Sequence, residues 1–316
     1  MAGSVRSREP VRPATQGGAR AEAAPALGES GREEKLSNAD FQRLRQLIYE
    51  QSGINLNADK RTMLELRIKR RLRSLNHGSF EEYCRYLFGA QGLRQEIVHL
   101  LDVVSTNKTD FFREPEHFEF LMQKAVPELA ARSPNGRPWL VWSAGCSTGE
   151  EPYTLAMLLQ QWGEEHPGFR FKVLATDIST TVLAKAEKGI FSREVVRPVP
   201  VALQKKYFLR SRDRSSDLMR VVPELRRQVE FRRLNFMDAD FGLSEKVEAI
   251  FCRNVMIYFD RPTQERIVQK LARHLLPGGY LFVGHSETLH DLDVPLSAVA
   301  PALYRKTGAT SAAPEK

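Results

Sequence analysis

The residues best placed to do chemistry sit where short apolar runs end. The run Pro138-Trp139-Leu140-Val141-Trp142-Ser143-Ala144 enters the turn Gly145-Cys146-Ser147-Thr148-Gly149-Glu150-Glu151. Residues 171–176 end at Asp177, residues 229–234 at Asn235, and residues 247–252 at Arg253-Asn254. A glycine turn between a strand and a helix serves three kinds of ligand. A P-loop needs lysine after its second glycine, and here Glu150 follows Gly149. A dinucleotide sets its pyrophosphate on the helix N-terminus, where Glu150 and Glu151 would repel it. The two carboxylates suit a ligand that lacks phosphate and carries positive charge. S-adenosylmethionine, with its sulfonium, ammonium and ribose, has that character. Asp177 is placed to accept from ribose hydroxyls. Two plainer readings stand beside these. Acidic residues favour the positive end of any helix, and Asp177 can cap a helix near Ser179.

These positions need strands that alternate with helices. Residues 280–283 add a fifth apolar run, and helical patterns at 153–162, 181–188 and 263–276 separate most of the runs. Such alternation predicts an α/β domain with a parallel sheet covered on both faces, in the Rossmann-like manner. Its ligands bind outside the carboxyl ends of the strands. Between Ile190 and Arg227 the rhythm breaks. Two strand-like pieces, 207–209 and 218–222, flank the polar run 211–217, which predicts an inserted small antiparallel β-subdomain. Ahead of the sheet, apolar residues recur at helical spacing over 41–51, 59–75, 80–88 and 93–104. Ser37 or Asn38 is the candidate cap of the first. The expected organisation is a disordered extension over 1–35, a small all-helical domain over 36–105, the α/β domain over 106–307 with its insertion at about 190–227, and a disordered tail over 308–316.

Composition narrows the function classes. The 316 residues are 42% apolar and give room for one large or two modest domains. No apolar run is long enough to span a membrane, and residues 1–35 contain no signal-peptide core, so no membrane insertion is expected. Cys84, Cys146 and Cys252 are far apart and form no C-x-x-C pair, which argues against a disulfide framework or structural zinc and fits a reducing cytoplasm. A net charge of +8 favours an anionic partner: nucleic acid, anionic lipid or an acidic protein surface.

Three longer runs carry a specific resemblance. They are Ser105-Thr106-Asn107-Lys108-Thr109-Asp110-Phe111-Phe112-Arg113-Glu114, Trp142 through Tyr153, and Ile250 through Phe259 followed by Gly284-His285-Ser286-Glu287. In order and spacing they resemble the chemotaxis-receptor glutamate O-methyltransferases, the CheR family, from about residue 36 to 306. The resemblance implies a helical N-terminal domain joined to a methyltransferase domain with a β-subdomain inserted in it. It implies methyl transfer from S-adenosylmethionine to glutamates on the cytoplasmic helices of chemoreceptors. By motif, Asn107, Thr109, Arg113, Glu151, Asp177, Asn235, Phe236, Arg253 and Asn254 should line the cofactor site, with Arg113 and Tyr258 nearest the chemistry. A basic face on the second helix, with Arg67, Arg70 and Arg71, should dock onto acidic receptor helices; its plainer reading is a solvated face. Some members bind a receptor tether through a glycine-bearing loop of the β-subdomain. The corresponding loop here, 211–217, has no glycine, so tethering is not implied.

That chemistry asks for little. Glutamate is already a carboxylate at neutral pH, so no general base is needed, and alignment and desolvation supply the rate. No metal site is expected, and His285 reads as a structural histidine. Cys146 and Cys252 read as small packing residues. Arg113 can hold a carboxylate or simply pair with Glu114 or Glu116. Tyr258 can point its hydroxyl at the reacting atoms or pack as a core tyrosine beside Phe259. Two rivals remain. A nucleic-acid methyltransferase fits the basic charge, yet amino-methylating DNA enzymes carry Asn/Asp-Pro-Pro-aromatic where this chain has Arg253-Asn254-Val255-Met256. A non-catalytic binding module keeps the fold, but the full set of candidate site residues argues against it. A monomer is expected, with no nucleic-acid partner.

Overall fold

The computed structural model describes residues 35–132, 137–213 and 215–307. The segments expected to be disordered, 1–35 and 308–316, lie outside the described residues except for Lys35, and so does Arg214 in the 211–217 loop.

Four helices come first: α1 (Asn38–Ser52), α2 (Arg61–Leu75), α3 (Phe80–Leu87) and α4 (Gly92–Val104). Ser37 caps α1, its hydroxyl accepting from Asp40 N at 3.0 Å. A 3-10 turn, Ala58–Lys60, leads into α2, so the expected start at residue 59 falls in that turn. Phe41, Leu44 and Ile48 of α1 meet Leu64, Ile68 and Leu72 of α2 and Leu100, Leu101 and Val104 of α4 in one core. The three- and four-residue spacing puts each set on one helix face.

After an extended stretch come α5 (Pro115–Phe120), a π turn at Leu121–Ala125 and α6 (Val126–Ala130), none of them foreseen. The sheet then begins with β1 (Trp139–Ala144), α7 (Glu150–Glu165), β2 (Phe171–Asp177) and α8 (Thr180–Lys188). The insertion is β3 (Ile190–Ser192), α9 (Arg193–Val196), α10 (Val201–Tyr207), β4 (Phe208–Arg210), β5 (Leu218–Val221) and α11 (Pro223–Arg226). The chain returns through β6 (Val229–Arg233), β7 (Val247–Cys252), α12 (Arg261–His274), β8 (Leu275–Val283), β9 (Leu296–Ala300) and β10 (Leu303–Lys306).

The large sheet runs β6-β2-β1-β7-β8-β10-β9. Its first five strands are parallel, and β10 is antiparallel to both neighbours. The chain moves outward from β1 to β6, then crosses back to β7 beside β1. That reversal leaves a crevice at the carboxyl ends of β1 and β7, where an open α/β sheet takes its ligand. Every residue of β7 is buried. The insertion's strands form a separate antiparallel sheet, β3-β5-β4. Phe191, Phe208, Met219 and Val221 turn inward to join the main core. The expected hairpin is β4–β5, and β3 is an additional strand on its other edge. Among the described residues, no helix is long and apolar enough to cross a membrane.

Candidate active site

A cavity of about 420 Å³ lies at that crevice, a size suited to a small ligand. Its walls come from the turn after β1, the ends of β2 and β7, the loop after β6, residues 104–109, and Ile54 to Met63 of the helical domain. Asn107, Thr109, Arg113, Glu151, Asp177, Asn235, Phe236, Arg253, Asn254 and Tyr258 all line it. Glu150 does not, since its carboxylate turns to the Thr148 hydroxyl at 2.7 Å.

The floor is densely bonded. Gly145 has φ +90°, and a Cβ there would sit 2.6 Å from Val255 Cγ2, so a side chain fits neither the conformation nor the space. Asp177 accepts from Ser147 N and Ser179 N, both at 2.9 Å. Burial pushes its carboxyl up against the pull of those amides. Glu151 accepts from the Ser143 hydroxyl at 2.6 Å, and its other oxygen lies 3.0 Å from Arg253 Nε. That second contact is an ion pair without hydrogen-bond alignment. Burial pushes the Glu151 carboxyl up, with Arg253 opposing. Arg253 is itself buried, spans the faces of Phe118 and Phe251, and donates twice to Arg113 O at 2.7 and 2.6 Å. Asn254 has φ +58° and is held by Glu287, whose carboxylate accepts from Asn254 N at 2.8 Å and Gly284 N at 2.5 Å. Among the described residues, seven non-glycine residues have positive φ. Four of them, Phe112, Glu114, Ser147 and Asn254, belong to this floor and the segment beside it. Strain concentrated in this way accompanies functional sites.

The rim is looser. Arg113 spends one N–H on Lys108 O at 3.1 Å and lies close enough to Glu151 to lower that carboxyl's pKa. Tyr258 is half-buried, and its electrostatic neighbour is Arg67. Asn235 reaches the helical domain, donating to Gln51 O at 2.6 Å, and Asn55 N donates to Tyr258 O at 2.8 Å. Phe236 leans on Phe241 and Phe259.

The family model "CheR methyltransferase, SAM binding domain" matches residues 107–301, and "CheR methyltransferase, all-alpha domain" matches residues 39–105. The chain belongs to the CheR methyltransferase family. Its relatives include the chemotaxis protein methyltransferase of Borreliella burgdorferi, 39% identical across 86% of this chain and 95% of that one. Chemotaxis protein methyltransferase 2 of Pseudomonas aeruginosa is 41% identical across 84% and 92%. The chemotaxis protein methyltransferase of Escherichia coli is 42% identical across 82% and 87%. In this CheR chain the all-alpha domain is the α1–α4 bundle. The domain built to bind S-adenosylmethionine carries the cavity floor. The donor set fits that molecule: Glu151 and Asp177 present carboxylates, and no lysine or phosphate-binding turn stands at α7.

Several expectations shift on the structure. Ser179, not Asp177, caps α8; Asp177 braces the turn before it. Arg113 pairs with neither Glu114 nor Glu116. Tyr258 lines the cavity while Phe259 is the buried neighbour. Two of the three arginines expected to dock a partner are already engaged. Arg67 donates to Val104 O, to Ser105 O at 2.9 Å and to the Thr106 hydroxyl at 3.1 Å. Arg71 grips buried Glu96 through two bonds of 2.7 and 2.6 Å. Positions 67 and 71 are one helical turn apart on the face turned to α4, and only Arg70 points outward. Cys146 and Cys252 are buried with their thiols pushed well up by burial, as packing residues should be. His285, expected as a satisfied structural residue without a metal partner, is half exposed beside His117 and Glu114. Sequence reading missed Glu287 as the brace of Asn254 and missed the helical-domain wall at Ile54–Met63. A carboxylate bonded only to backbone amides has no sequence signature.

Proposed function

We propose that this CheR family member forms methyl esters on glutamate side chains of chemoreceptor cytoplasmic helices, working in the cytoplasm as a monomer. The observation that carries this reading is the contrast at the cavity: a floor of internally bonded acidic groups beneath a rim where Arg113 and Tyr258 keep polar groups to spare. When bound, S-adenosylmethionine supplies a methyl group already activated on a sulfonium. Asp177 is assigned to the ribose, Glu151 to the cationic end, and Phe236 to the base face. Asn107, Thr109, Asn235, Arg253 and Asn254 complete the wall. Arg113 holds the incoming carboxylate, and Tyr258 directs its hydroxyl to the reacting oxygen. Neither residue takes a proton, because the glutamate is already ionised. The helical domain excludes water and aligns the two reactants. Arg70 on the outer face of α2 meets the acidic receptor.

The test is transfer of radiolabelled methyl from S-adenosylmethionine to chemoreceptor cytoplasmic fragments, followed by mild alkali. Label released as methanol supports a carboxyl ester. Receptor left unlabelled by a protein that binds S-adenosylhomocysteine would overturn the substrate assignment and send the search to nucleic acid or to a binding-only role.

A further inference from the structure

Beside the cavity, outside the residues assigned to methyl transfer, three side chains far apart in sequence converge. One potential ligand atom each from Glu114, His117 and His285 lies within 4.8 Å of the others. We propose that these three residues form a binding site for a divalent transition-metal ion of the zinc class.

Two observations point to a ligand rather than to packing. His117 is 3% exposed, and its Nε2 has no hydrogen-bond partner; Glu114 Oε2 is likewise buried without a hydrogen bond, its contact with His117 Nδ1 at 3.4 Å being an ion-pair distance only. A buried polar atom left unpaired costs roughly 1–3 kcal/mol, and two such atoms in one cluster call for an occupant. Glu114 is also held at φ +56°, outside the helix that follows it, a backbone state that costs a non-glycine residue energy.

The chemistry of the donors fits. Two imidazoles and one carboxylate are a set that zinc accepts with a further position left for water. The nearby cation, Arg253, is paired at 3.0 Å with Glu151; its Nε stands 4.0 Å from Glu114 Oε2 and its Nη1 3.4 Å from His117 Nδ1, so the ion must enter on the side turned to His285. Three ligands at about 2.0 Å from a tetrahedral ion lie about 3.3 Å apart, so a cluster whose atoms lie within 4.8 Å must close by up to about 1.5 Å. His285 has that freedom. Its side chain is 50% exposed, its ring lies edge-on to His117 at 4.9 Å, and Glu116 waits on the solvent side at 3.8 Å. The same exposure gives the ion an entry path. Glu114 Oε1 also accepts from Asn254 Nδ2 at 3.3 Å, so an ion here bears directly on the cavity wall.

The test titrates tag-free full-length protein with zinc chloride against a chromogenic chelator. Wild type should take up one equivalent. His285→Ala should weaken that binding by at least about tenfold, with an unchanged melting temperature in the absence of zinc. Cobalt in place of zinc should give a visible absorption band in wild type that the variant loses. His117→Ala is unsuitable because it opens the core. Failure of wild type to bind an equivalent would overturn the site, and so would a His285→Ala protein that binds as tightly as wild type.

Discussion

Arg253 and Arg113 stand 140 residues apart and border the same cavity, yet their guanidinium groups are used in opposite ways. Arg253 is sealed between aromatic faces, donates twice to Arg113 O and pairs its charge with the Glu151 carboxylate. Arg113 touches one carbonyl and faces the opening. The same split runs through the whole site. Asp177, Glu151 and Asn254 are held by bonds within the protein, whereas the Arg113 guanidinium makes a single bond and the Tyr258 and Thr109 hydroxyls make none among the described residues. A floor of that kind is organised before any ligand arrives, so binding there costs little reorganisation. A rim with unspent donors can respond to a second reactant. Changes at the floor should therefore cost stability, and changes at the rim should cost rate.

Breaking the floor gives the largest expected effect. Arg253→Ala strands the buried Glu151 carboxylate and the Arg113 carbonyl, and removing one partner of a buried pair costs about 3–5 kcal/mol. Urea unfolding should show it directly; a loss below about 1 kcal/mol would mean that the floor is not built as described. At the rim, Arg113→Ala and Tyr258→Phe should each lower methyl transfer about 100-fold by losing alignment, with the urea midpoint unmoved. Near-normal transfer in both would remove them from the reaction centre.

Arg67 crosses from one class to the other. It belongs to the helical domain, yet its bonds go to Val104, Ser105 and Thr106, all on the cavity wall. Arg67→Ala should cost about 1.5–3 kcal/mol, the range for bonds from a charged donor, and should weaken S-adenosylhomocysteine binding in calorimetry as well. Loss of stability with intact binding would place Arg67 in the bundle alone. Glu151 gives a smaller effect with a defined sign. Burial raises its carboxyl, so a proton returns to it at a higher pH than to an ordinary glutamate at about 4.3. A cationic ligand favours the ionised form and so expels that proton. Affinity should fall as pH drops toward the raised value and be level above it. Glu151→Gln should bind about tenfold more weakly at neutral pH and lose that pH dependence; an unchanged slope would assign the titration to another group.

The floor was more legible in sequence than the rim's surroundings, for a physical reason. Parallel strands buried on both faces read as apolar runs, and the polar residues that end them, Asp177, Arg253 and Asn254, are conspicuous. The glycine turn at Gly145 is conspicuous too. The helical wall was legible as helices but not as a wall, because no periodicity says that Asn55 reaches Tyr258 or that Arg67 turns inward. The antiparallel strands β9 and β10 were missed because only one of their nine residues, Leu303, is buried, so no apolar alternation marks them. The short helices α9 and α11 are single turns, below the length at which a 3.6-residue period shows. The Glu114–His117–His285 cluster joins the start of α5 to the loop after β8, 168 residues further along the chain, a separation no local spacing reveals.

Arg70 supplies the smallest effect and the sharpest limit to the comparison. It shares α2 with Arg67 and Arg71 but faces solvent, with the exposed Leu66 one turn before it. Neither the fold nor the cavity uses its charge, so Arg70→Glu should leave unfolding and S-adenosylhomocysteine binding within error. If acidic receptor helices dock on this face, reversal should slow receptor methylation by about two- to fivefold at low salt, since rim charges act mainly on association. High salt should shrink the difference, because exposed charges are screened over about 10 Å at 0.1 M. The salt dependence separates two explanations that a single rate cannot. A slowing that persists in high salt would mean that the side chain packs against the receptor through its stem. No slowing at any salt would remove this face of α2 from receptor recognition and leave its arginines as parts of the bundle.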